Sequence, residues 1–174
     1  GIAASGGTLS NLNALIAARH NSGLGSDPNS VLLVSEDAHS SFIKCIRIMG
    51  LDEANLIRIK TDKNGSMDTQ NLRKTIDKCF IDKKKIFAIV ATLGTTVRGA
   101  IDPIKDISEI CKERNIWLHI DGSIGGIFAI TSIPIEGLNN INQANSITIN
   151  PQKIIGITKT SSLLIVSEMC TLEN

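Results

Sequence analysis

The pattern of apolar positions divides the chain into short continuous runs and longer segments with helical spacing. The runs hold four to six residues, and they predict buried strands at 31–34, 56–59, 86–91, 116–120, 146–149 and 162–166. In several segments between them, apolar side chains recur every three or four residues, which predicts helices starting near Thr8, His39, Asp68 and Asp102. Strands joined by such helices favour an α/β fold with a mostly parallel sheet and helices on both faces.

The predicted helices differ in how they begin and end. The first follows a glycine turn and covers residues 8–20, and Gly50 ends the second. Asp68 and Asp102 are typical N-cap residues for the third and fourth helices, and Pro103 suits the first helical position. The spacing predicts that these two helices bury one apolar face each, formed by Leu72, Ile76, Cys79, Phe80, Ile104, Ile107, Ile110 and Cys111.

Composition and charge narrow the class of protein. With 174 residues, 42% hydrophobic and 20% charged, the chain can form one globular domain with a sizeable core. A formal net charge of +1 provides no electrostatic attraction for nucleic acid or an anionic membrane. The apolar runs are too short to cross a bilayer and the first residues do not resemble a signal peptide, so we expect a soluble, cytoplasmic protein. Four widely spaced cysteines fit reduced thiols and predict no zinc site.

The stretch around Asp121 is the strongest candidate for chemistry. An apolar strand ends at this carboxylate, and mostly small residues follow it at 122–126. In an open α/β sheet, ligand crevices form beyond the carboxyl ends of the strands, which is the position predicted for Asp121. A carboxylate buried there needs a partner such as a protonated pyridine nitrogen. The alternative is a solvent-facing acid at the start of a loop.

Two further groups could complete a site with Asp121. Residues 5–8, Ser-Gly-Gly-Thr, precede a helix, so their N–H groups and the Thr8 hydroxyl could bind a phosphate; otherwise they form a plain turn with Thr8 as a cap. Lys153 could attack an aldehyde if it sheds its proton, or it could be an ordinary solvated lysine. A phosphate-binding helix N-terminus, a lysine and an acid are the three anchors that pyridoxal 5'-phosphate (PLP) requires.

Polar residues after other strands are weaker candidates. His39 could place its imidazole over a planar ring, or it could be a helix cap or a surface residue. Thr95 and Thr96 follow the strand at 86–91 and offer hydroxyls, although a plain turn explains them equally well. Neither position identifies a ligand by itself.

Five motifs stand in order along the chain, at residues 5–19, 37–41, 91–103, 116–121 and 150–153. Together they resemble the PLP-dependent group II amino-acid decarboxylases, which include the glutamate, aromatic-amino-acid and diaminobutyrate decarboxylases. The resemblance implies the large domain of a fold-type-I PLP enzyme, with a seven-stranded, mostly parallel sheet. It also implies a homodimer whose sites lie at the subunit interface, and decarboxylation of an L-amino acid substrate to the corresponding amine.

By position, the resemblance assigns seven residues to the cofactor. The implied roles are phosphate binding by Gly7, Thr8 and Asn150, stacking on the pyridine ring by His39, a cofactor contact by Thr96, pairing with the ring nitrogen by Asp121, and covalent attachment by Lys153. Lys153, His39 and Asp121 would also act in catalysis. Within this resemblance, the sequence of residues 94–103 favours a glutamate-like or diaminobutyrate-like substrate.

The chain differs from the family pattern in two residues and in its extent. Gln152 stands where the family usually has histidine, and Ser123 stands where alanine often lies under the ring. We expect residues 1–174 to be an incomplete PLP-binding large domain, because the family's N-terminal segment and C-terminal small domain are not present in them. Two hypotheses follow: the core of a decarboxylase that is inactive on its own, or a non-catalytic remnant that at most binds PLP or a partner chain.

Overall fold

The computed structural model describes residues 1–135, 137–158 and 161–172, and it contains one seven-stranded sheet. The strands are β1 (Ile2–Ala4), β2 (Ser30–Ser35), β3 (Leu56–Ile59), β4 (Lys85–Thr92), β5 (Trp117–Gly122), β6 (Ser146–Ile149) and β7 (Ser162–Val166). Their order across the sheet is β1-β7-β6-β5-β4-β2-β3. Neighbouring strands from β3 to β6 are parallel, whereas β7 is antiparallel to both β6 and β1.

Helices connect most of the strands. The α-helices are α1 (Gly7–Asn21), α2 (Ser41–Ile48), α3 (Thr69–Ile81), α4 (Ile104–Arg114) and α5 (Pro151–Ile154). Short 3-10 helices occur at Glu53–Asn55, Gly125–Ile130, Leu138–Gln143 and Met169–Leu172. Over the described ranges, no helix combines the length and the apolar character that crossing a membrane requires.

The predicted α/β architecture is confirmed. Strand β2 shows why the strands of this sheet have apolar residues at consecutive positions. Val31 and Leu33 pack into one hydrophobic cluster, with α3 and α4. Leu32 and Val34 point to the opposite face and pack into a second cluster, with α1 and α2. Because successive side chains of a strand alternate between faces, a sheet covered by helices on both sides needs apolar residues at consecutive positions.

Two local features differ from the sequence-based expectations. β1 does not follow from the apolar pattern: it has three residues, and it exists through antiparallel pairing of Ile2 with Leu164 at the edge of the sheet. Phe80 was expected on the buried face of α3, but its side chain is 51% exposed, and the Arg114 guanidinium lies 5.6 Å from its ring centroid. Helical periodicity predicts which side of a helix a residue lies on. Tertiary packing decides how much of that side is covered.

The prediction that Asp102 caps α4 is wrong. Pro103 is the N-cap residue of α4, and no side chain caps that helix. The Asp102 carboxylate is instead buried and accepts two backbone hydrogen bonds, from Met67 N at 2.7 Å and from Thr92 N at 2.7 Å. These amides belong to a loop and a strand end distant in sequence, so the carboxylate joins two connections of the sheet. Buried N–H groups need acceptors, which explains an acid in this position.

Burial raises the pKa of Asp102 to about 6, although both backbone hydrogen bonds favour the ionised form. In the unfolded chain this carboxyl ionises at a lower pH, so the folded state holds the proton more tightly. Asp102 should therefore lower the free energy of unfolding as pH rises from about 4 to 6, by roughly 1.4 kcal/mol per pH unit.

Urea unfolding at several pH values, with the wild-type chain and Asp102→Asn, would measure this contribution. The asparagine does not titrate, so the difference between the two unfolding free energies should change across this pH window and level off above it. A constant difference from pH 4 to 7 would contradict the expected titration.

Candidate active site

A cavity of about 600 Å³ opens at the carboxyl edge of the parallel strands. Its walls come from the start of α1, the loops after β2, β4 and β5, and the start of α5. All seven residues that the resemblance assigns to the cofactor line this cavity: Gly7, Thr8, His39, Thr96, Asp121, Asn150 and Lys153. Folding thus brings together positions that are up to 146 residues apart, since parallel strands end at the same edge of the sheet.

Asp121 lies at the floor of the cavity, at the end of β5, and is 5% exposed. The alternative of a solvent-facing acid is therefore wrong. Its Oδ2 accepts a hydrogen bond from Asn11 Nδ2 at 3.0 Å, and its Oδ1 accepts one from Ser123 N at 3.1 Å. None of the ion pairs among the described residues involves Asp121. A buried carboxylate that borders an open cavity without a cationic partner is suited to bind a cationic group of a ligand.

The glycine turn forms a tight cradle at the N-terminus of α1. Gly6 is the N-cap residue, and no side chain caps the helix, so the interpretation of Thr8 as a cap is wrong. A Cβ atom on Gly7 would lie 2.6 Å from Ser123 Oγ and 2.8 Å from the side-chain amide of Asn150. In the orientation that satisfies both ends of this amide, the Asn150 oxygen accepts from Gly7 N at 3.1 Å and the NH2 group donates to Ser162 Oγ.

If the cradle binds the phosphate of PLP, as the resemblance implies, Gly7→Ala should weaken binding of PLP by roughly tenfold or more. The new methyl group must displace Ser123 or Asn150, and overpacking of this kind costs about 1–3 kcal/mol. A fluorescence titration with PLP would measure the dissociation constant. Gly25→Ala is a suitable control, since its Cβ would meet only His20 Nδ1, at 3.9 Å. Unchanged affinity in Gly7→Ala would show that PLP does not depend on this cradle.

His39 lies at the rim of the cavity and is exposed. Its Nδ1 accepts a hydrogen bond from Ser41 N at 3.1 Å and lies 2.9 Å from Ser41 Oγ. Because Nδ1 is an acceptor, the ring proton is on Nε2 in this arrangement. Ser41 is the first residue of α2, so the ring both contacts a helix start and borders the cavity. The N-cap residue of α2 is Ser40 rather than His39, although the His39 ring accepts a hydrogen bond from the first N–H group of the helix. The contact of His39 with a ligand stays a prediction.

The loop after β4 has the hydrogen bonds of a turn and also borders the cavity. Thr95 is 3% exposed, and its Oγ1 accepts from Ala100 N at 3.0 Å. Thr96 is exposed and lines the cavity. Thr95 therefore holds the turn together, while Thr96 is free to face a ligand.

Lys153 lies on α5, a four-residue helix that follows β6, rather than in an irregular turn. Asn150 is the N-cap residue of α5 and Pro151 occupies its first turn. The Lys153 side chain is exposed and lines the cavity. Gln152, which also lines the cavity, accepts a long hydrogen bond from Ser161 N at 3.4 Å.

Three polar residues of this region were not identified from the sequence. Asn11 and His119 are buried and belong to the hydrogen-bond network of Asp121, and the buried Thr92 lines the cavity. One signal was available: His119 lies two positions before Asp121, so both point to the same face of β5. No such rule connects Asn11 with Asp121, because the contact depends on how α1 packs on the sheet.

Comparison with known proteins identifies the family. The model of the "Pyridoxal-dependent decarboxylase conserved domain" matches residues 1–174. The chain belongs to the pyridoxal-dependent decarboxylase family. The chain is 35% identical, over 162 residues, to the acidic amino acid decarboxylase GADL1 of Xenopus tropicalis, a match that covers 89% of this chain and 32% of that protein.

Two solved structures have the same fold as this chain. Mouse CSAD superposes with a TM-score of 0.93 at 28% identity, over 99% of this chain and 38% of that chain. The glutamate decarboxylase domain of a diaminobutyrate-pyruvate transaminase and L-2,4-diaminobutyrate decarboxylase from Vibrio parahaemolyticus superposes with a TM-score of 0.91 at 27% identity, over 99% and 40%. The chain therefore spans about a third to two fifths of the length of these relatives.

The residues of this cavity fit PLP, the cofactor of the pyridoxal-dependent decarboxylase family. Asp121 offers a carboxylate without an ion-pair partner for the ring nitrogen, and Gly7 leaves room for a phosphate at the start of α1. The Thr92 hydroxyl is buried, borders the cavity and has no hydrogen-bond partner in the described part of the chain, as expected of a group that meets a polar ligand. Lys153 provides an amine at the rim for an aldehyde.

Proposed function

We propose that this protein decarboxylates an L-amino acid with PLP as its cofactor, and that its residues form the cofactor side of the active site. One observation carries the proposal. A buried carboxylate without an ion-pair partner, Asp121, lies in the same cavity as a glycine cradle at a helix N-terminus and an exposed lysine, Lys153. These three groups match the ring nitrogen, the phosphate and the aldehyde of PLP.

We assign phosphate binding to the N–H groups at the start of α1, the Thr8 hydroxyl and the amide of Asn150. The positive end of the α1 dipole favours a dianion in this position. Lys153 would hold the aldehyde carbon of the cofactor through its side-chain amine. A lysine amine attacks an aldehyde only in its unprotonated form.

The central part of the cofactor would lie between His39 and the floor of the cavity. The flat imidazole of His39 would stack on one side of the ring, and Thr96 would contact the cofactor from the loop after β4. Asp121 would hold a proton on the ring nitrogen by remaining ionised next to it. When bound, PLP supplies an electron sink for the pair of electrons released as the bond between Cα and the carboxylate breaks.

We propose an acidic amino acid as the substrate class. Support comes from GADL1 of Xenopus tropicalis, which is named an acidic amino acid decarboxylase and shares 35% identity with this chain. The Vibrio parahaemolyticus structure, at 27% identity, keeps a diaminobutyrate-like substrate as the competing possibility.

We also propose that the complete protein is a homodimer. Apolar side chains at the rim of the cavity are exposed, Leu9 by 42% and Ile48 by 65%, and a second subunit would cover them.

Release of carbon dioxide from carboxyl-labelled glutamate, aspartate, diaminobutyrate and tryptophan would test the reaction and the substrate class. The assay should use the full natural protein, with and without added PLP. We expect PLP-dependent release that is fastest with an acidic amino acid. A natural protein that binds PLP stably but releases carbon dioxide from no amino acid would support the remnant hypothesis instead.

A further inference from the structure

We propose that Asn11 and His119 are positioning residues: they end a directed chain of hydrogen bonds that orients the Asp121 carboxylate toward the ring nitrogen of the cofactor. The inference rests on the proposed pairing of Asp121 with that nitrogen and adds the residues that make the pairing effective. Asn11 lines the cavity and contacts Asp121 directly, whereas His119 does not line the cavity and acts on Asp121 through Asn11.

The chain of hydrogen bonds begins at Trp117, the first residue of β5. Trp117 Nε1 donates to Ser146 Oγ at 2.9 Å, and Ser146 Oγ lies 2.8 Å from His119 Nδ1. His119 Nε2 lies 3.1 Å from Asn11 Oδ1, and Asn11 Nδ2 donates to Asp121 Oδ2 at 3.0 Å. Four hydrogen bonds thus connect Trp117, which packs against the second hydrophobic cluster, to Asp121 in the cavity.

The direction of every bond follows from the donors available. The Asp121 carboxylate can only accept, so Asn11 presents its NH2 group to it and its oxygen to His119. His119 must then donate from Nε2, which leaves Nδ1 as an acceptor for the Ser146 hydroxyl. Ser146 in turn accepts from the indole of Trp117. Each dipole therefore points its positive end toward Asp121, and hydrogen bonds aligned in this way strengthen one another in a buried setting.

Burial keeps the imidazole in the state that this arrangement needs. His119 has no exposed surface, and its pKa is lowered to about 4, chiefly by desolvation, although the nearby Asp121 opposes the shift. The ring is therefore neutral at physiological pH, with a single proton on Nε2. If Nδ1 also carried a proton, it would donate to Ser146 Oγ instead of accepting from it, and the direction of that hydrogen bond would be reversed.

Both oxygens of Asp121 are held before any ligand binds, since Ser123 N donates to Oδ1 and Asn11 donates to Oδ2. Asn11 also lies four residues after Gly7 on α1, so one helix face carries the phosphate cradle and the group that orients the acid. The spacing between the phosphate end and the acid end of the site is thus set by a single turn of helix. A carboxylate that is already oriented contributes more to the binding free energy than a mobile one, because no reorganisation is needed when the cofactor binds.

The test compares the affinity for PLP with the affinity for a PLP analogue that has a C–H group in place of the ring nitrogen. In the natural protein, Asp121 should favour PLP over the analogue. Asn11→Leu should weaken PLP binding by about tenfold or more and leave binding of the analogue nearly unchanged, because hydrogen bonds to charged groups are worth about 1.5–3 kcal/mol. His119→Phe and the milder Ser146→Ala should reduce the same ratio in decreasing order.

Asn13→Leu is the matched control, because it makes the same substitution on the same helix, where the Asn13 amide donates to Leu9 O. It should leave the ratio unchanged. Equal weakening of PLP and the analogue in Asn11→Leu, or an unchanged ratio in all three network variants while Asp121→Asn abolishes it, would overturn the positioning role and leave the proposed function standing. A natural protein that binds both compounds equally would overturn the pairing of Asp121 and the positioning role together.

Discussion

Lys153→Ala should abolish covalent attachment of the cofactor. If Lys153 holds the PLP aldehyde, borohydride treatment of the loaded protein fixes a phosphopyridoxyl group on the peptide that contains Lys153, and alanine has no amine to carry it. Mass spectrometry of the digested protein would locate the label. We expect loss of this labelled peptide to background and loss of carbon dioxide release, with the fold retained, because the Lys153 side chain is exposed.

Lys44→Ala provides the control for this experiment. Lys44 is an exposed lysine on α2 and does not line the cavity. The control should keep the full label on the peptide containing Lys153. Label spread evenly over exposed lysines in the wild-type protein, or an undiminished label in Lys153→Ala, would remove Lys153 from the proposed site.

Asp121→Asn should lower the decarboxylation rate by about a hundredfold or more while the cofactor still attaches to the protein. The asparagine keeps the shape of the side chain but lacks the negative charge that would hold a proton on the ring nitrogen. It also brings an NH2 group to a place where Asn11 and Ser123 already donate. Steady-state kinetics with saturating PLP would measure the change in kcat, and borohydride labelling would show that attachment is intact.

Asp106→Asn is a comparable change at an exposed acid of α4 and should leave kcat unchanged. Near-normal turnover of Asp121→Asn would show that the reaction does not need this acid to hold a proton on the ring nitrogen. A large loss in Asp121→Asn with no attachment at all would instead indicate that the acid is needed to bind the cofactor.

The order of strands and helices, and the edge of the sheet that holds the cavity, could be predicted from the sequence. Strands buried on both faces must be apolar at consecutive positions, as in β2 and β4, so they are visible as short runs. Parallel strands end at one edge, so residues after each run could be expected to meet. This reasoning predicted that Asp121, Lys153 and the glycine turn share one cavity, and it did so without any knowledge of distances.

Other features were decided by the tertiary structure. β1 exists because β7 pairs with it, and its three residues have no strand pattern of their own. Asp102 follows the rule for a helix cap in sequence, yet its carboxylate binds amides of a loop and a strand that only folding brings near. A local sequence pattern indicates only the local preference of a polar side chain. In the folded protein, that side chain bonds to nearby buried groups that have no other hydrogen-bond partner.

The Asp121 site shows the same division between sequence and structure. Its acid could be recognised because a strand ends there, and the five ordered motifs identify the family from the sequence alone. The partners Asn11 and His119 are 110 and 2 residues away from Asp121 along the chain, and they act on it together only because α1 packs across β5. The sequence by itself determined which chemistry was available, whereas tertiary packing decided which neutral side chains orient it, since hydrogen bonds depend on distances of about 3 Å that no periodicity specifies.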